Sequence, residues 1–73
     1  MPPRFRDIRR ALEKQGVTVM PSKGGSSHWK VEKDGKTYPI PASHGDNTEI
    51  SEVYVRGVCR ALGLDEAELR RNL

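Results

Sequence analysis

Apolar residues follow two different rhythms along this chain. Phe5, Ile8, Ala11 and Leu12 recur at helical spacing, while Arg6, Arg9, Arg10 and Glu13 occupy the remaining arc. Pro2 and Pro3 stand before this run, where proline is tolerated, and Gly16 can close it in the left-handed conformation. The spacing predicts a helix over about residues 4–15. The period then shortens to two. Val17-Thr18-Val19-Met20 is a short β-branched alternation, and Pro21 to Gly25 reads as a turn. In Ser27 to Lys33, Trp29 and Val31 share one face, while His28, Lys30 and Glu32 share the other. Asp34-Gly35 signals a tight hairpin. The following Lys36 to Ile40 puts Tyr38 beside Ile40 on one face, with Pro39 limiting ladder pairing on one side.

Residues 41–50 form a polar connection. Ser51 is placed to cap a second helix, with Ile50 and Val55 at the spacing of a hydrophobic staple. Val55, Val58, Cys59 and Leu62 line one stripe of that helix, and Gly63 ends it. Asp65-Glu66-Ala67-Glu68 resembles a capping box, with Leu64 and Leu69 as a further staple and Arg70 and Arg71 at the end favoured by the helix dipole. A short third helix follows from this.

The expected fold class is α+β. One domain spans residues 1–73, with a three-stranded antiparallel sheet, two helices on one face (α-β-β-β-α) and a short C-terminal helix. The expected core is Phe5, Ile8, Leu12, Val17, Val19, Trp29, Val31, Tyr38, Ile40, Val55, Val58 and Leu62. The other sheet face is then open and polar, and it carries His28 and Lys30. The order α-β-β-β-α is also that of double-stranded-RNA-binding domains, which bind duplex RNA mainly by shape and backbone.

Composition narrows the function classes. A chain of 73 residues has no room for a deep cofactor pocket, so a shallow surface site is expected and no cofactor is required. Cys59 is the single cysteine, which rules out an internal disulfide and favours a reducing compartment. Neither a membrane span nor a signal peptide is expected, and the cytoplasm is the simplest location. The formal net charge is +3 and unevenly distributed. Residues 1–36 hold nine Lys/Arg against four Asp/Glu, and residues 37–73 hold four against six. A basic half points toward a polyanion, although the same charges also suit a solvated helix face.

His28 is the candidate for chemistry. It follows Gly24-Gly25-Ser26-Ser27 and opens a strand on the side away from Trp29 and Val31. Imidazole exchanges protons near neutral pH. RNA strand cleavage requires proton transfer from a 2′-hydroxyl and to a departing 5′-oxygen, and a placed imidazole performs one of these without a metal. Lys30 and Lys23 are candidates for charge neutralisation at the phosphate, with Ser27 assisting. Arg4, Arg6, Arg9 and Arg10 form either a phosphate-binding ridge or a solvated helix face; Arg6 and Arg10 are the substrate-binding candidates among them. His44, in a loop beside Gly45-Asp46-Asn47, reads first as a turn residue and second as a further proton-transfer group. His28, His44 and Cys59 lack the spacing of a zinc site, so no metal is expected. On the apolar stripe, Cys59 reads as a small core residue.

These residues resemble a known family. Gly25-Ser26-Ser27-His28-Trp29-Lys30-Val31 resembles the Gly-Ser-His segment of the HicA toxins, which are messenger-RNA interferases. Tyr38 to Gly45 is similar to their Val-Pro-x-His stretch. Tyr54 to Leu64 is similar to their closing Thr-Leu-Arg-x-Ile-Leu-Lys-x-x-Gly-Leu helix, and Glu13-Lys14-Gln15-Gly16-Val17 to the end of their opening helix. The likeness runs in order over roughly residues 5–65. It implies a fold like that of double-stranded-RNA-binding domains and metal-free endoribonuclease activity on mRNA. It also implies a catalytic histidine at His28 and a HicB-like antitoxin partner that masks the active surface. Two other functions fit the residues: a non-catalytic RNA-binding module, and a protein-interaction domain using the open sheet face or an edge strand.

Overall fold

The computed structural model describes residues 2–21 and 28–73. The elements run α1 (Phe5–Lys14), β1 (Thr18–Pro21), β2 (His28–Lys33), β3 (Lys36–Pro41), a single 3-10 turn (Gly45–Asn47), α2 (Glu52–Leu62) and α3 (Glu66–Arg71). The three strands form one antiparallel sheet in the order β1-β2-β3, so β2 is central. Asp34 and Gly35 both take positive φ, at 52° and 80°. That is the backbone demanded by a two-residue turn whose twist matches its strands. It fixes Lys33 opposite Lys36 and, at the other end of β2, His28 opposite Pro41.

Pairing register and alternation sort the sheet into two faces. Val19, Val31 and Tyr38 align on one face, as do Trp29 and Ile40. This face meets the buried residues of α1 (Phe5, Ile8, Ala11, Leu12) and of α2 (Val55, Val58, Cys59, Leu62) in one core. Nine of the twelve expected core residues are buried, whereas Val19, Trp29 and Tyr38 are half-buried at its rim. Val19 and Tyr38 lie on the two edge strands and Trp29 near the end of the central one, so each stays partly wet. Ala42, Ile50 and Leu69 join the core.

Two details differ from expectation. Ser51 stands at the N-cap of α2 but makes no side-chain capping bond. Asp65, by contrast, accepts from the Glu68 N–H at 3.1 Å and caps α3. The polar connection also contains a feature without local signal. Phe5 N–H donates to Thr48 at 2.8 Å and Ile50 N–H to Pro3 at 2.9 Å, bridging Arg4 to Glu49. This bridge ties the entry to α1 to the entry to α2.

α3 has only six residues, too few to persist alone. It is held by Leu69, which is fully buried, and by polar contacts to both longer helices. The Gln15 amide donates to the Asp65 carbonyl at 3.0 Å and accepts from its N–H at 3.1 Å. Lys14 donates to Asn72 at 3.1 Å. Arg70 spans Glu52 of α2, at 2.7 Å, and Glu66 one turn back, at 2.9 Å.

Candidate functional site

The sheet face away from the helices is the first candidate surface. Its rows across the strands are Met20, Lys30 and Pro39; Thr18, Glu32 and Thr37; and His28 opposite Pro41. No helix among the described residues covers them, since α1 and α2 bury their apolar stripes against the opposite face. His28 and Lys30 are both exposed and lie two residues apart on β2, adjacent on this face. Ser27 and Lys23, expected beside them, lie outside the described residues.

His28 opens β2 at the end of the sheet where β3 finishes. Pro41 is its cross-strand partner, and the loop carrying His44 begins just beyond. The topology therefore brings both histidines to one end of the sheet. His44 is exposed, and its N–H donates to Thr48 Oγ1 at 2.8 Å, so its backbone shapes the 3-10 turn. Behind this end, Phe5 and Trp29 pack with ring centroids 4.9 Å apart. The Arg9 guanidinium lies 5.7 Å from the Phe5 ring and 5.8 Å from the Trp29 ring, and pairs with Asp46 at 3.1 Å. Cation–ring attraction and the ion pair together fasten the His44 loop against α1.

The basic residues of α1 do not join this surface. Arg6 and Arg10 lie on the arc of α1 opposite Phe5, Ile8 and Leu12, and both are exposed. They therefore face solvent on the far side of the helical layer, with the whole core between them and the His28 face. Arg10 pairs with Asp7 at 3.4 Å. Arg9 is taken by Asp46 and the two rings. A run of arginines in sequence shows that a helix face is basic, but not which layer of the fold it belongs to.

A second surface escaped the sequence reading. Tyr38, Val53, Arg56, Gly57 and Arg60 line a cleft of about 330 Å³ where α2 crosses the edge strand β3. Its signal in the sequence is faint: two arginines four apart on α2, with a glycine inside the helix between them. Gly57 is there for a spatial reason. A Cβ at this position would collide with the hydroxyl and ring of Tyr38, so glycine lets the phenol lie across the helix.

Among the described residues, no group of three or more His, Cys, Asp or Glu side chains could hold a metal ion. Cys59 is buried on the α2 stripe, and burial pushes its thiol above the usual range, which keeps it protonated and unreactive. Glu52 is held below the usual carboxylate range, first by its hydrogen bond from Arg70. No helix among the described residues is long and apolar enough to cross a membrane. No protein-family model, curated protein or solved structure matches the chain.

Proposed function

We propose that this chain is a metal-independent endoribonuclease acting on mRNA, the toxin of a toxin–antitoxin pair, with His28 as its proton-transfer residue. The observation that supports this most is the placement of His28. Its exposed side chain leaves the central strand on the uncovered face, with Lys30 next along that face. An open sheet face admits a polynucleotide where a closed pocket would not. The ordered likeness to HicA toxins, with its Gly-Ser-Ser-His segment at residues 25–28, points the same way.

In the proposed reaction the 2′-hydroxyl oxygen attacks the adjacent phosphorus, and its proton passes to the imidazole. The bond from phosphorus to the 5′-oxygen breaks, and that oxygen takes a proton from water. The products are a 2′,3′-cyclic phosphate and a 5′-hydroxyl end. Lys30 lies where an ammonium can neutralise charge building on the phosphate oxygens. Arg6 and Arg10, on the far layer, have no part in this step. The expected location is the cytoplasm, and the expected partner is a HicB-like antitoxin that covers the sheet face.

The test is an mRNA cleavage assay, with and without chelator, on wild type and His28→Ala. Wild type should yield new 5′-hydroxyl ends in both conditions, and induction should arrest growth. His28→Ala should keep the wild-type circular dichroism spectrum and do neither. RNA that is bound but never cut by wild type would make the protein a non-catalytic RNA-binding module instead.

A further inference from the structure

We propose that the cleft between β3 and α2 is a second RNA contact, in which Arg56, Arg60 and the Tyr38 hydroxyl hold the phosphodiester backbone of single-stranded RNA. This rests on the reading of the chain as an RNA-acting protein and places the strand beyond the reacting bond.

The physical case begins with α2 itself. Arg56 and Arg60 stand one turn apart, so their charges repel, at a cost of a few tenths of a kcal/mol in an exposed helix. Neither forms an ion pair among the described residues. The acid one turn before Arg56 is Glu52, but Arg70 already binds both of its oxygens, at 3.3 and 2.7 Å, and Arg56 attracts it only at longer range, as the lesser influence. Gly57 weakens the same turn by about 1 kcal/mol relative to alanine. Packing of Tyr38 accounts for Gly57, and the helix dipole favours Arg60 in the last turn, but neither accounts for a second arginine one turn earlier at the open cleft. A bound anion would turn the repelling pair into a two-pronged clamp, and the open flank at Gly57 brings the Tyr38 hydroxyl to it as a third donor.

Two observations favour a polyphosphate over a protein strand. The polar groups lining the cleft are cationic or hydroxyl, with no carboxylate among them. The adjacent edge strand carries proline at alternate positions, Pro39 and Pro41, which removes donors that an added strand would use. The cleft also lies within reach of His28. Tyr38 and Pro41, the partner of His28, are three residues apart on β3. That is about 10 Å along the strand; because Tyr38 lies on the helix-side face and His28 on the open one, RNA that reaches both passes round the exposed β3 edge, a path longer than about three stacked nucleotides at roughly 3.4 Å each. Val53, 69% exposed at the cleft, offers an apolar wall for a ribose.

The test measures affinity for a single-stranded RNA oligonucleotide in the His28→Ala background, so that cleavage and binding are read separately. Arg56→Gln/Arg60→Gln should weaken binding by about tenfold or more and flatten the log–log salt dependence by about 1.4, the release expected for two single-strand phosphates. Tyr38→Phe should weaken it by about fivefold, one hydrogen bond's worth. Arg6→Gln/Arg10→Gln removes equal charge from the far layer and should change affinity by no more than about twofold. Thermal stability of the Arg56/Arg60 variant should stay close to that of its parent, because the repulsion removed is offset by the lost attraction of Arg56 to Glu52 and of Arg60 to the helix end. Equal losses in the two double variants would overturn the cleft assignment while leaving cleavage by His28 intact. So would tighter uptake of a poly-glutamate peptide than of RNA by the same arginines, which would mark a protein-binding cleft.

Discussion

The Tyr38 phenol occupies the space that a side chain at Gly57 would need. This contact between the edge strand and the second helix sets the spacing between the layers and leaves the cleft open beside it.

Substitution at Gly57 therefore sets two effects against each other. Alanine gains about 1 kcal/mol of helix propensity, while overpacking costs about 1–3 kcal/mol. Gly57→Ala is expected to lower stability to urea by roughly 1 kcal/mol in the wild-type background and to raise it by about as much in a Tyr38→Ala background. A double-mutant cycle reads the change of sign. An identical effect in both backgrounds would refute steric control by Tyr38.

The third helix should behave as a dependent element. Leu69 is its one fully buried residue, and Leu69→Ala is expected to cost about 2–4 kcal/mol. Amide exchange in Glu66–Arg71 should then become fast while β2 and β3 stay protected to the reduced global limit. Retained protection across α3 would mean that its polar contacts to Gln15, Lys14 and Glu52 suffice to dock it.

Acid should loosen the same region. Glu52 is held below its ordinary value of 4.5, chiefly by the Arg70 hydrogen bond. A depressed carboxylate contributes stability that is fully present above its unfolded value and is lost as pH falls through the folded one. Glu52→Gln should therefore lose less melting temperature than wild type on titration from pH about 5 downward. Because the pair is exposed, about 0.15 M salt should shrink the difference. Parallel acid curves for the two proteins would exclude Glu52 as a contributor.

Much of this architecture is legible in the residues because its causes are local. Period-two alternation through His28 to Lys33 puts the imidazole opposite Trp29 and Val31. Asp34-Gly35 fixes the hairpin, and the stripes of α1 and α2 select the buried positions. The features that were not legible depend on residues distant in sequence. The bridge from Arg4 to Glu49 has no signature at either end. Ala42 is buried within a connection whose polar composition does not suggest it, whereas the burial of Ile50 follows its staple position before α2. Arg6 and Arg10 belong to the same basic half as Lys30, yet the fold places them on the opposite layer. The cleft exists only once α2 has crossed β3, so Arg56 and Arg60 look in sequence like ordinary surface charges.

Trp29 is the only tryptophan in the chain. It packs against Phe5 at a tilt of 47°, close to the Arg9 guanidinium, and is next to His28 in the strand. Ultraviolet emission excited beyond the absorption of its two tyrosines therefore comes from a single indole at the end of the sheet where both histidines lie. That makes the molecule its own label: the arrival of a nucleotide or a covering protein at that end can be followed by intensity and wavelength, with no dye attached.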